Sequence, residues 1–98
     1  MNSAEAIATL REHERALRAR GVRHAALFGS RARGTAGAQS DIDILVEFDP
    51  EAQVTIFDYV GLKNYIAGLF EGRVDVIDRE ALKPHMRDRS TRDAVYAF

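Results

Sequence analysis

Apolar positions along the chain follow two periods, and the switches between them outline its elements. In residues 1–20, Ile7, Leu10, Glu14 and Leu17 fall on one helical stripe while Glu and Arg fill the other faces, which predicts an amphipathic helix. Asn2 with Glu5 forms a capping pair at its start, and Gly21 is placed to end it. Residues 22–28 then read as a strand, and residues 42–48 as a second one stopped by Asp49-Pro50. Between them, residues 34–40 hold two glycines and no large apolar side chain, the composition of a surface loop. Helical spacing returns at Ile56, Tyr59, Leu62, Ile66 and Leu69, predicting a helix over residues 55–70 with Gly72 as its stop. Residues 73–77 form a third short strand. A helical stretch over residues 79–89 and a short one through Ala94, Val95 and Tyr96 complete the pattern. Helical spacers between short β-branched strands predict an α/β or α+β fold, a small mixed β-sheet with helices packed around it, in a single domain spanning residues 1–98.

The candidate chemistry gathers around the second predicted strand. Successive side chains on a strand point to opposite faces, so Asp41 and Asp43 project together while Ile42, Ile44 and Val46 project into a core. Two like charges ~4 Å apart repel by about 1 kcal/mol in water and about 4 kcal/mol at an effective dielectric near 20, so a half-buried pair calls for a cation. Hard oxygen ligands favour Mg²⁺, which takes one or two carboxylates and completes its shell with water and phosphate oxygens. Upstream, Gly29-Ser30-Arg31-Ala32-Arg33-Gly34 reads as a tight turn opening a short helix. Its backbone N–H groups and the Ser30 hydroxyl make an anion-binding concavity. By itself Gly29-Ser30 also fits an ordinary strand-to-helix turn with a serine cap. Arg31 and Arg33 fit a phosphate contact, a partner contact, or a solvated helix start paired with nearby acids. Asp75 lies between Val74 and Val76 and projects away from them. If the third strand neighbours the second, Asp75 stands beside Asp41 and Asp43 as a third carboxylate.

Composition narrows the partners. Fourteen basic and fifteen acidic side chains leave a net charge of -1, which argues against an extended nucleic-acid surface, so no direct nucleic-acid contact is expected. The absence of cysteine excludes a disulfide framework and a thiolate zinc site. His13, His24 and His85 are too scattered for a metal triad. Asp78 reads as a helix N-cap, and Tyr59, Tyr65 and Tyr96 as core or interface residues on helices. The first ten residues lack a basic leader, and no apolar run approaches the ~20 residues of a membrane-spanning helix, so a soluble cytoplasmic protein without membrane contact is expected.

Taken jointly, Gly29-Ser30, ten residues, then Asp41-Ile42-Asp43, with Val74-Asp75-Val76-Ile77 downstream, resembles the minimal nucleotidyltransferase (MNT) antitoxins of the DNA polymerase beta-like nucleotidyltransferase superfamily. The likeness runs from Val22 to the segment Arg92-Asp93-Ala94-Val95-Tyr96, nearly the whole chain. It implies the nucleotidyltransferase fold, ATP as substrate, and Gly29 and Ser30 on its triphosphate, with Arg31 and Arg33 beside them. It also implies two Mg²⁺ ions held by Asp41, Asp43 and Asp75, with Asp75 the base for the acceptor hydroxyl. Members of this size are commonly antitoxins encoded beside a HEPN-domain toxin. In studied cases they transfer AMP onto a toxin tyrosine, which implies a hetero-oligomer with that toxin. The chain has no acceptor-binding domain, so the acceptor is expected on a partner protein. Two other readings fit the same residues: a non-catalytic antitoxin that masks the toxin surface, and a transferase for a small molecule such as an aminoglycoside.

Overall fold

The computed structural model describes residues 3–28, 42–85 and 94–98. The predicted capping residue Asn2 and the predicted loop over residues 34–40 lie outside them. The first predicted helix is two, α1 (Ser3–Glu12) and α2 (Glu14–Ala19). The break has a local cause at His13. In a continuous helix the His13 amide would bond to Thr9 O; instead His13 Nδ1 lies 2.9 Å from that carbonyl, and the amide turns to Leu10 O at 3.1 Å. A carbonyl only accepts, so Nδ1 is the donor there. The helical stripe survives the break, because Ala6, Ile7, Leu10 and Leu17 are all buried.

Gly21 ends this segment as predicted, with φ 97°. Its carbonyl accepts from the Asp49 amide at 2.9 Å, joining the corner to the end of the second strand. A Cβ at Gly21 would lie 3.0 Å from Val54 Cγ2 and 3.1 Å from the Ala52 Cβ, so both conformation and space require glycine here.

Strand β1 (Val22–Phe28) pairs antiparallel with β2 (Ile42–Phe48), and both match the predicted bounds. The register shifts between Val22 and His24, and this irregularity returns Val22 to the face of Ala25 and Leu27, where all three join the core. From β2 the chain passes through α3 (Ile56–Ala67) to β3 (Val74–Asp78), which pairs parallel with β2. A helical crossover is the connection that parallel neighbours need. Thr55 opens α3 with a capping box: Asp58 N donates to Thr55 Oγ1 at 3.1 Å, and Thr55 N to Asp58 Oδ2 at 3.0 Å. These bonds hold the Asp58 carboxyl below its ordinary 3.8.

Four expectations are corrected. The third helix ends at Ala67, with Gly68 its C-cap, and Gly72 (φ 87°) instead turns the chain into β3. Ile56 is 71% exposed, because steps of three residues from Ile56 to Tyr59 to Leu62 lag a full helical turn by about 60° each and carry Ile56 off the buried side. The helix expected over residues 79–89 opens as a 3₁₀ turn, Arg79–Ala81, capped by Asp78 Oδ1 accepting from Glu80 N at 2.9 Å, is interrupted at Leu82 and Lys83, and is helical again at Pro84 and His85. Leu82 is extended after it, and Pro84 disfavours a helical Lys83; the expected residues 86–89 lie outside the described ones. Finally, Val95–Tyr96 is not helical but a short strand, β4, antiparallel to β1, with Ala97 N donating to Ala25 O at 2.8 Å. The open edge of β1 decides the conformation of that β-branched and aromatic pair.

The sheet order is therefore β3-β2-β1-β4, mixed in direction. Helices α1 and α2 pack on β1 and α3 on β3, enclosing Leu10, Leu17, Leu27, Ile44, Leu62 and Ile66. Tyr59 ties α3 to β3 from the core side: its hydroxyl donates to Val76 O and accepts from Asp78 N, both at 3.2 Å. No helix among the described residues is long and apolar enough to cross a membrane.

Two outcomes test this arrangement. Gly21→Ala should destabilise the chain by about 1–2 kcal/mol, the cost of a left-handed backbone for an L-residue, and by more if Val54 cannot yield. Thermal unfolding should register that as a fall of roughly 4–8 °C per kcal/mol. Burial is the main cause that raises the Tyr59 phenol above its ordinary 10.0, followed by the nearby Asp78 and Asp75 charges against the bond from Asp78 N. A raised folded value means that this tie is complete below about pH 10 and is lost as pH rises beyond it. Tyr59→Phe should therefore cost about 1 kcal/mol at neutral pH in denaturant unfolding and remove the alkaline loss.

Candidate active site

The parallel ladder between β2 and β3 fixes the site. Ile42 N donates to Arg73 O at 2.9 Å, and the register pairs Ile42 with Val74, Asp43 with Asp75 and Ile44 with Val76. Adjacent strands lie ≈ 4.7–4.9 Å apart, so Asp43 and Asp75 stand side by side. Their neighbours decide which way they face. Ile42, Ile44 and Val76 are buried under the helices, so alternation turns Asp43 and Asp75 to the other face of the sheet, where Asp43 is half-buried and Asp75 exposed. Phe28, the last residue of β1, pairs with Asp43 from the opposite side. Asp43 thus sits between an aromatic ring position and a second carboxylate. Leu45 and Ala26, one step further along the same face, are buried and give the carboxylates an apolar floor.

The adjacency required for Asp75 to join Asp43 is therefore present. Asp41, Gly29, Ser30, Arg31 and Arg33 lie outside the described residues. Among the described residues no cluster of three metal-ligating side chains occurs. The Asp43–Asp75 pair is a two-carboxylate donor set, and its chemistry fits Mg²⁺, which takes one or two protein carboxylates and leaves positions for water and phosphate oxygens. Asp78 caps the 3₁₀ turn at the far end of β3, as its sequence position predicted, and lies three residues beyond Asp75. Sequence reasoning did not single out Phe28 or the tie made by the Tyr59 hydroxyl. For Tyr59 a signal existed, since a tyrosine on a buried helical stripe needs a partner for its hydroxyl.

A family profile for the nucleotidyltransferase domain matches residues 10–97. The chain belongs to that family. This nucleotidyltransferase is 38% identical over 88 residues to the protein adenylyltransferase MntA of Thermococcus cleftensis, covering 89% of this chain and 87% of that protein. It is also similar to a solved minimal nucleotidyltransferase structure, at 35% identity and a TM-score of 0.78, with 97% of this chain and 95% of the other covered. A crystal structure of a toxin–antitoxin with AMP-PNP shares the fold at 21% identity, with a TM-score of 0.69 and coverage of 100% of this chain and 73% of that one. The chain is accordingly a nucleotidyltransferase enzyme with a nucleotide substrate, built on a mixed four-stranded sheet.

The pairing of Asp43 with Asp75 makes a direct prediction. Divalent cation at about 100 times its dissociation constant should stabilise the folded chain by about 2.7 kcal/mol. Melting with Mn²⁺ against melting in chelator should show that gain for the natural chain and most of it lost for Asp75→Asn, whose neutral amide is a weaker ligand.

Proposed function

We propose that this nucleotidyltransferase moves AMP from ATP to a hydroxyl of a partner protein, a tyrosine of a HEPN-type toxin, and acts in the cytoplasm as that toxin's antitoxin. The observation that carries the reading is the register pairing of Asp43 with Asp75 on the face of the sheet opposite the helices. Similarity to a protein named protein adenylyltransferase over most of both chains supports the choice of acceptor class.

In this reading residues 1–98 act as one nucleotidyltransferase domain. Asp41, Asp43 and Asp75 hold two Mg²⁺ ions, while Gly29, Ser30, Arg31 and Arg33 receive the triphosphate. The metal supplies charge neutralisation on the triphosphate and lowers the pKa of the attacking hydroxyl. The acceptor oxygen bonds to the α-phosphorus, the bond from that phosphorus to the β-phosphate bridging oxygen breaks, and pyrophosphate leaves with the electron pair. Asp75, the most exposed of the described pair, accepts the hydroxyl proton. The strand register sets Asp43 beside Asp75, so the chain contributes mainly alignment and charge.

Incubation with ATP labelled at the α-phosphate and the partner toxin should label the toxin and release pyrophosphate. Asp43→Asn should lower the rate by at least about 100-fold, the scale of losing a main electrostatic contributor. An unlabelled toxin that is nonetheless neutralised, with Asp43→Asn equally protective, would replace catalysis by surface masking.

A further inference from the structure

A surface helix ordinarily pairs one apolar face with a charged one. Helix α3 does not. Its only charged residues are Asp58 and Lys63, and both are engaged locally: Asp58 in the capping box, and Lys63 with its ammonium 5.5 Å from the Tyr59 ring centre. The side facing away from the core, read at helical spacing from Phe57, carries Val60, Gly61, Asn64, Ala67 and Gly68. Phe57 is 84% exposed, Ile56 71% and Val60 50%. Leu62 and Ile66 on the opposite side are fully buried, so this helix is apolar nearly all round.

Gly61 sharpens the reading. Glycine within a helix weakens it relative to alanine. Among the described residues nothing requires glycine there, since its φ is not positive and an added Cβ would meet only Arg20 Nη1 of them, at an ordinary 3.7 Å. A glycine that no described neighbour requires, one turn from an exposed phenylalanine, suits close approach by another backbone.

We propose that α3 is the interface of a two-fold dimer, in which it packs antiparallel on α3 of a second copy of this chain and the helices cross near Gly61. The face is self-complementary in shape. Its first half is bulky (Ile56, Phe57, Val60) and its second half small (Gly61, Asn64, Ala67, Gly68), so antiparallel pairing sets bulk against space twice. It is also self-complementary in charge. The guanidinium of Arg20 lies 4.6 Å over the Tyr65 ring, on the same flank of α3 as Asp58. Crossing at Gly61 brings Asp58 of each copy level with residues 64 and 65 of the other, so each Asp58 meets the other copy's Arg20. The occupant is a second copy and not the acceptor protein, because α3 covers the face of the sheet opposite Asp43 and Asp75. Pairing there leaves both carboxylate sites open. The inference is independent of the AMP-transfer reading.

Sedimentation equilibrium of the full chain across the micromolar range should show a concentration-dependent dimer. Phe57→Lys should weaken it by at least about tenfold, as expected of a central aromatic anchor. Gly61→Leu should abolish it while leaving the monomer's melting temperature unchanged or higher, since the helix gains a better former. A natural chain that stays monomeric throughout overturns the proposal and leaves the face to a different protein. Dimerisation unchanged in Phe57→Lys or Gly61→Leu overturns it as well.

Discussion

The parallel pairing of β2 with β3 is the constraint on which the rest of this structure depends. Within that ladder Asp43 can neighbour Asp75 in only one register, and the register is fixed by burial. Ile42, Ile44 and Val46 on β2 and Val76 on β3 must all enter the core. A slip of β3 by one residue would turn Val76 away from the core and Asp75 inward. The apolar packing under the sheet and the chemistry above it are therefore consequences of one alignment. The Ile42 amide bonded to Arg73 O extends that alignment to the start of β3, next to the carboxylates, and the Tyr59 hydroxyl secures it at the other end.

The alignment divides the sheet between two tasks. One face is covered by α1, α2 and α3 and contributes stability. The other presents Asp43 and Asp75 beside the buried Ala26 and Leu45, and it is the face on which we place the nucleotide. Because α3 makes the crossover between β2 and β3, it is placed behind the carboxylates, and its outer surface is free for a separate contact. Its apolar outer surface is thus spatially independent of catalysis, although it belongs to the element that puts β3 in place.

Much of this was legible from side-chain period alone. Alternation around Ile42, Ile44 and Val46 marked β2 and the face of Asp43, and the same rule placed Asp75 opposite Val74 and Val76. What alternation does not contain is strand order, so the neighbourhood of Asp43 and Asp75 needed the tertiary fold. The departures have both local and tertiary origins. His13 breaks the first helix by a side-chain bond to Thr9 O that competes with the backbone. Val95 and Tyr96 become a strand because β1 offers an unpaired edge, which no local pattern records. Gly72 has the sequence position of a helix stop, yet its positive φ serves the turn into β3. Of the site residues named from sequence, Gly29, Ser30, Arg31, Arg33 and Asp41 lie outside the described residues, and their roles rest on the motif.

The central claim is that nucleotide and metal meet at the Asp43–Asp75 end of the β2–β3 ladder. Amide NMR of the isotope-labelled chain, titrated with substoichiometric Mn²⁺ and a non-hydrolysable ATP analogue, tests it most directly, because broadening by Mn²⁺ falls steeply with distance. The account predicts that the amides of Phe28, Asp43 and Asp75 lose intensity first, while Phe48, roughly 17 Å along β2 from Asp43, keeps its signal longest. Early loss at Phe48 and Asp78 with Asp43 and Asp75 unaffected would contradict it.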